Sequence, residues 1–128
     1  MKIIEITTLL NSPIDRVWEI FSDLTRADWV PFAEKITLEE GVRKFEMEGV
    51  GEIKEKILLL DNENRHMSYR VIKSPVPLEH HLAEIKLTES ETNKTKLYWK
   101  SEINPDVFEK LIKDGMEASI EMIKKIVE

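Results

Sequence analysis

The chain has 128 residues, 41% hydrophobic and 34% charged, with 4 Gly and 5 Pro, which fits one folded domain over residues 1–128 and excludes disordered and collagen-like classes. Cysteine is absent, so disulfide frameworks, thiolate metal sites and a thiol nucleophile are removed together. Nineteen basic residues are interspersed among 25 acidic ones for a net charge of −6, a surface that phosphate backbones repel, so no nucleic-acid partner is expected.

Lys2 and Glu5 place charges where a secretory leader would be apolar, and a cytoplasmic location is the expectation. The alternation of Ile, Leu and Thr over Lys2 to Leu10 predicts a first strand. Ser12-Pro13-Ile14-Asp15 then reads as a helix start, with Ser12 as N-cap and Pro13 in the first turn. Ile14, Val17, Trp18 and Phe21 recur at helical spacing up to Asp23. Thr25 predicts the cap of a second short helix through Asp28-Trp29-Val30, limited by Pro31.

From Lys35 to Asn104 the period changes to two, and turn residues divide the segment into strands over about 35–40, 42–49, 52–60, 65–73, 80–90 and 94–104. The longest wholly apolar run, Ile57 to Leu60, is far short of the roughly 20 residues that a membrane span needs. Pro105 ends the last strand, and Asp106 to Val127 predicts a long helix with Phe108, Ile112, Gly115, Ser119, Met122 and Ile126 on one stripe. The expected fold is α+β: a seven-stranded antiparallel sheet gripping a long C-terminal helix, with two short helices between strands 1 and 2. A sheet bent around one helix leaves space between them.

Ser12-Pro13-Ile14-Asp15-Arg16-Val17-Trp18, Asp23-Leu24, Trp29, Gly41-Val42-Arg43, Glu55, Asp61, Arg65, Ser68-Tyr69 and Trp99 accompany this order of elements. With them the chain resembles the SRPBCC superfamily, the START-like helix-grip proteins, and within it the polyketide cyclase/dehydrase-like group. The resemblance implies a cavity for a hydrophobic small molecule. It implies no single activity, because members include lipid carriers, cyclases and ligand sensors.

Strand parity names the inward residues. Arg43, Phe45 and Met47, then Ile53, Glu55, Ile57 and Leu59, then Met67, Tyr69 and Val71 share the apolar parity. His81, Ala83, Ile85 and Leu87, and then Leu97, Trp99, Ser101 and Ile103, continue it. Turns near Val50 and Glu63 would set Glu55 opposite Phe45 and Val71, with Arg43 and Tyr69 diagonal to it. A carboxylate on an apolar face needs a partner, and Arg43 is the natural one. The cluster reads equally as an anchor for a ligand's polar end and as a buried pair that fixes register.

Gly115 and Ser119, next to Ala118, leave the middle of the long helix small, which serves either a ligand or close helix-to-sheet packing. Trp29, Pro31 and Phe32 are candidates for a mouth, although Trp is more often core. The expected ligand wall is Trp29, Phe45, Ile57, Met67, Ile85, Leu97, Trp99, Ser101, Ile112, Gly115, Met116 and Ser119, with Arg43, Glu55, Tyr69 and His81 orienting the polar end. Glu55, Tyr69 and His81 are the candidate acid–base groups for the alternative, a cyclase, dehydratase or hydrolase acting on a polyketide-like carbonyl compound. A third possibility is an interaction module with a collapsed cavity. His80 and His81 point to opposite faces of a strand, and no helical His pair occurs, so no metal and no cofactor are expected.

Overall fold

The computed structural model describes residues 1–128. β1 (Lys2–Leu10) leads into α1 (Ile14–Ser22). Six strands follow: β2 (Ala33–Glu39), β3 (Val42–Met47), β4 (Gly51–Asp61), β5 (His66–Lys73), β6 (His80–Glu89) and β7 (Thr95–Asn104). A single 3-10 turn, Asp106–Phe108, opens α2 (Glu109–Val127). The sheet order is β1-β7-β6-β5-β4-β3-β2, every pair antiparallel, so β1 closes against β7 while β2 forms the other edge.

Alternation sets the faces as the sequence predicts. Along β7, Thr95, Leu97, Trp99, Ser101 and Ile103 are buried and the residues between them are not. α1 lays Ile14, Val17, Trp18 and Phe21 onto the same face, with Ile20 buried beside them, each side chain contributing about 1.5–3 kcal/mol through burial. Phe21 stands edge-on to Trp29 and Trp99, with ring centroids 5.2 and 6.5 Å apart, a favoured aromatic geometry. The Trp18 indole donates to Asn62 Oδ1 at 2.9 Å, pinning α1 to the β4–β5 turn.

Four local expectations are corrected. Ser12 does not cap α1: Pro13 does, without a side-chain bond, while the Ser12 carbonyl accepts from the Thr95 hydroxyl at 2.7 Å. The interior claimed Ser12, which is 2% exposed. The second short helix is absent. Residues 24–32 form isolated turns, because Asp23 Oδ1 captures the Thr25 amide and hydroxyl and Pro31 can donate no amide to a helix.

The third correction lies in β4. Ile57 pairs with Tyr69 but Leu59 pairs with Ser68, a bulge that inserts Leu58 and reverses the parity beyond it. Leu59 is therefore 40% exposed instead of inward, and Leu60 packs on the core. The fourth is the stripe of α2. Met116, Ser119, Ile120, Ile123 and Val127 are buried; Gly115 is exposed, Met122 and Ile126 are half-buried, and Phe108 falls in the 3-10 turn.

The bulge is directly testable by urea denaturation. Leu60→Ala is expected to cost about 2 kcal/mol and Leu59→Ala under about 0.5 kcal/mol; equal losses would place both residues on one face and remove the bulge.

Candidate functional site

The C-terminal half of α2 lies on the core through Met116, Ile120, Ile123 and Val127, together with α1. Its N-terminal half stands off the sheet, where Leu111, Asp114, Gly115 and Ala118 are exposed. Between that half and the sheet is a cavity of about 440 Å³, lined by 25 residues of which 16 are hydrophobic. Sheet residues on the wall are Phe45 and Met47 of β3, Ile53 and Glu55 of β4, Tyr69 and Val71 of β5, His81 of β6, and Trp99 and Ser101 of β7. Leu111, Ile112, Asp114, Gly115, Met116, Ala118 and Ser119 of α2 face them.

Three loops rim the opening. Trp29 to Phe32 supplies one side, with Trp29 itself 3% exposed and Phe32 69% exposed. Val50 and the residues Ser74-Pro75-Val76, with Leu78, supply the rest. Gly51 allows the last two to close up: a Cβ there would lie 2.8 Å from Pro75 Cγ, at a φ of +134°. Gly115 is small for a different reason. A Cβ at that position meets nothing within 4 Å, so the glycine leaves space and makes no close helix-to-sheet contact.

The expected wall divides in two. Trp29, Phe45, Glu55, Tyr69, His81, Trp99, Ser101, Ile112, Gly115, Met116 and Ser119 all meet at the cavity. Met67, Ile85 and Leu97, each 0% exposed, lie instead in the solid core with α1, and Ile57 packs against that core as well. Parity cannot separate these sets, since both point inward; what separates them is which half of the sheet α1 covers. Met47, Ile53 and Val71, which have the inward parity, and Ser74, Pro75, Val76 and Leu78 of the β5–β6 loop, for which parity gives no signal, extend the wall beyond the expected set.

Arg43 and Glu55 come together, in a closer relation than diagonal. Their Cα positions are directly paired between β3 and β4, and Phe45 pairs with Ile53, because the hairpin turns about Gly49 and not Val50. Arg43 Nη2 donates to Glu55 Oε1 at 2.5 Å. Arg43 is 2% exposed and does not reach the cavity; its guanidinium lies 5.3 Å from the Tyr69 ring centre and 6.0 Å from that of Trp29, within cation–π range. It engages one of the two carboxylate oxygens of Glu55, the member of the pair that lines the wall.

His81 is held by its strand neighbour. Its Nδ1 accepts the Val71 amide at 3.0 Å, which leaves the ring proton on Nε2. Burial, with the charges of His80 and Arg70 adding to it, lowers its pKa to about 4, so the ring is neutral at physiological pH. Burial likewise raises the Tyr69 hydroxyl far above the ordinary phenol value, with Glu55 adding to the rise. The Tyr69 and His81 rings are 5.7 Å apart. Ser101 Oγ donates to Met116 Sδ, another wall residue, at 3.4 Å. On the opposite face, His66 meets Glu84 at 3.3 Å and His80 lies 4.0 Å from Glu102.

A curved seven-stranded antiparallel sheet closed around one long C-terminal helix, with an apolar cavity between them, defines a helix-grip protein. The chain belongs to the polyketide cyclase/dehydrase and lipid transport family, whose model matches residues 1–128. No curated protein matches its sequence. Among solved structures it is similar to norcoclaurine synthase from Thalictrum flavum, at 22% identity and a TM-score of 0.77 over 98% of this chain and 85% of that one. An aromatase/cyclase, Zhui, from a Streptomyces species is similar at 21% identity and a TM-score of 0.76, covering 97% and 89% of the two chains. The protein XoxI from Bacillus cereus matches at 21% identity and a TM-score of 0.79, over 93% of each chain. These likenesses bear on the fold. No helix is long and apolar enough to cross a membrane.

Two outcomes follow from this geometry. Glu55→Ala leaves the Arg43 guanidinium buried without its carboxylate and is expected to cost about 3–5 kcal/mol in urea denaturation, whereas the double change of Arg43 and Glu55 to Leu recovers most of that loss; a single variant as stable as the parent would show the pair to be solvated. His81 makes stability pH-dependent. An unfolded imidazole takes its proton near 6.5 and the folded one only near 4, so the unfolded state binds more protons between those values. The histidine's share is absent as a penalty above about pH 6.5 and grows as the pH falls, reaching about 3 kcal/mol near pH 4. His81→Gln should flatten that part of the stability–pH curve, and an unchanged slope would contradict it.

Proposed function

We propose that this protein is a single helix-grip domain that binds an apolar or aromatic small molecule between the sheet and the N-terminal half of α2. The observation that carries the reading is the unfilled space itself. Interiors pack to crystal-like density, yet here about 440 Å³ stays open beneath a helix that includes Gly115, where a Cβ would meet nothing within 4 Å. That exceeds the roughly 300 Å³ at which ligand sites begin, which speaks against a collapsed interaction module. The match to a family described by both cyclisation and lipid transport is consistent with a hydrophobic ligand.

Binding is favoured over turnover by the states of the candidate acid–base groups. A neutral His81 whose Nδ1 is occupied can donate a hydrogen bond through Nε2, but with a pKa near 4 it accepts protons poorly at neutral pH. Tyr69 keeps its proton for the same physical reason, burial. Glu55 is paired with Arg43. These three groups are suited to orienting the polar end of a ligand, while most of the affinity comes from buried hydrocarbon at about 25 cal/mol per Å².

The test uses a hydrophobic fluorophore and a variant that fills the space. The parent should bind the dye saturably at one site. Gly115→Trp should melt at or above the parent temperature, since replacing a helix-interior glycine removes a cost of up to about 1 kcal/mol, and should lose the dye. Undiminished binding by that folded variant would locate the dye elsewhere and sink the reading.

A further inference from the structure

The cavity has a charge character that its apolar lining does not by itself require. No lysine or arginine is among its 25 lining residues, and the only formal charges on its wall are two carboxylates, Glu55 and Asp114. Asp114 stands at the rim with Lys110 2.6 Å away on the outer surface. Of the cations near the wall, Arg43 is sealed behind it with its guanidinium already joined to Glu55 Oε1, and Arg70, which is not a lining residue, donates through Nε to the His81 backbone carbonyl at 3.2 Å. A ligand entering the cavity therefore meets carboxylate oxygen without meeting a free cation.

We propose that the site selects its ligand by charge: it takes apolar or aromatic molecules whose polar end is neutral or cationic and donates a hydrogen bond, such as an alcohol, a phenol or an ammonium, and it rejects carboxylates and phosphates of the same shape. This rests on the ligand-binding reading above. The donor on the ligand faces the Glu55 carboxylate, which accepts hydrogen bonds and cannot give one when ionised. His81, elsewhere on the same wall, adds a donor for a ligand oxygen, because the Val71 amide occupies Nδ1 and leaves the N–H on Nε2. An anionic end beside Glu55 would add a second negative charge at a wall where the one cation in contact, Arg43, is already paired with that carboxylate and sealed from the ligand, so the two like charges repel. The chain's net charge of −6 opposes the approach of anions from further away.

Calorimetric titration with four probes that share one ring system tests this: 2-naphthylmethanol, 2-naphthylmethylamine, methyl 2-naphthoate and 2-naphthoate, at pH 7.5. The alcohol and the amine should bind at least about tenfold more tightly than the carboxylate. The methyl ester, neutral but without a donor, should fall between them. Glu55→Gln should weaken the amine and strengthen the carboxylate. The four-probe ranking on the parent protein decides the matter even if that variant does not fold. Carboxylate binding as tight as that of the alcohol would overturn charge selection while leaving the ligand site intact. An ester no better than the carboxylate would also overturn it, since the negative charge would then carry no penalty beyond the missing donor. Failure of all four probes together with the hydrophobic dye would overturn the ligand site and this inference with it.

Discussion

The constraint on which the rest of the structure depends is that α2 meets the sheet along only half its length. One long helix must cover a seven-stranded sheet, and α1 enters the same face from the other end with Val17, Trp18, Ile20 and Phe21. Where α1 and α2 lie together, Ile120, Ile123 and Val127 complete a core with Leu10, Met67, Ile85 and Leu97. Beyond α1's reach α2 alone faces the sheet, and between Ile112 and Ile120 its wall residues include the small Gly115, Ala118 and Ser119 beside Met116. The sheet continues and the filling stops. The cavity is thus a consequence of how the elements divide the sheet between them, and its position at the N-terminal half of α2 needs no separate cause.

The Arg43–Glu55 pair sits at that boundary. A buried ion pair is poor evidence of stabilisation, since desolvation offsets much of the attraction and apolar replacements often do as well. Its geometry matters more. The rings of Tyr69 and Trp29 enclose the arginine, and the strand register sets the carboxylate directly across from it. The result is a carboxylate whose direction is fixed by a partner that the ligand cannot touch. Tyr69 and His81 line the same wall in protonation states that burial makes insensitive to pH near neutrality. In the proposed function such groups are fixed points for orientation, and mobile protons have no part in it.

Much of this was legible from residue order, and the failures have physical reasons. The odd-numbered inward parity from β3 through β7 holds because hairpins in register must present opposed residues to the same face. It breaks at Leu59 because a bulge changes the count of residues on one strand without leaving a Gly or Pro to mark it. The Arg43–Glu55 association was legible because a charged residue on an apolar stripe demands a partner. Their direct pairing was not, because the hairpin centre depended on whether Gly49 or Val50 took the turn. The core and the cavity wall carry the same periodicity, so Met67 and Tyr69 look alike until α1 is placed over one of them. The second short helix failed because Thr25, the expected cap, has its amide and hydroxyl taken by Asp23 Oδ1 and Pro31 follows within six residues, while Trp29 packs beside Phe21 and Trp99.

The central claim, that an apolar molecule enters the gap under the N-terminal half of α2, is tested most directly by following backbone amide and indole resonances during titration with 2-naphthylmethanol. The account predicts saturable shifts clustered at Val71, Gly115 and Ser119 and at the indoles of Trp29 and Trp99, with the buried C-terminal residues Ile123 and Val127 unmoved. Shifts scattered over the outer face of the sheet, or none up to the solubility limit of the probe, would contradict it.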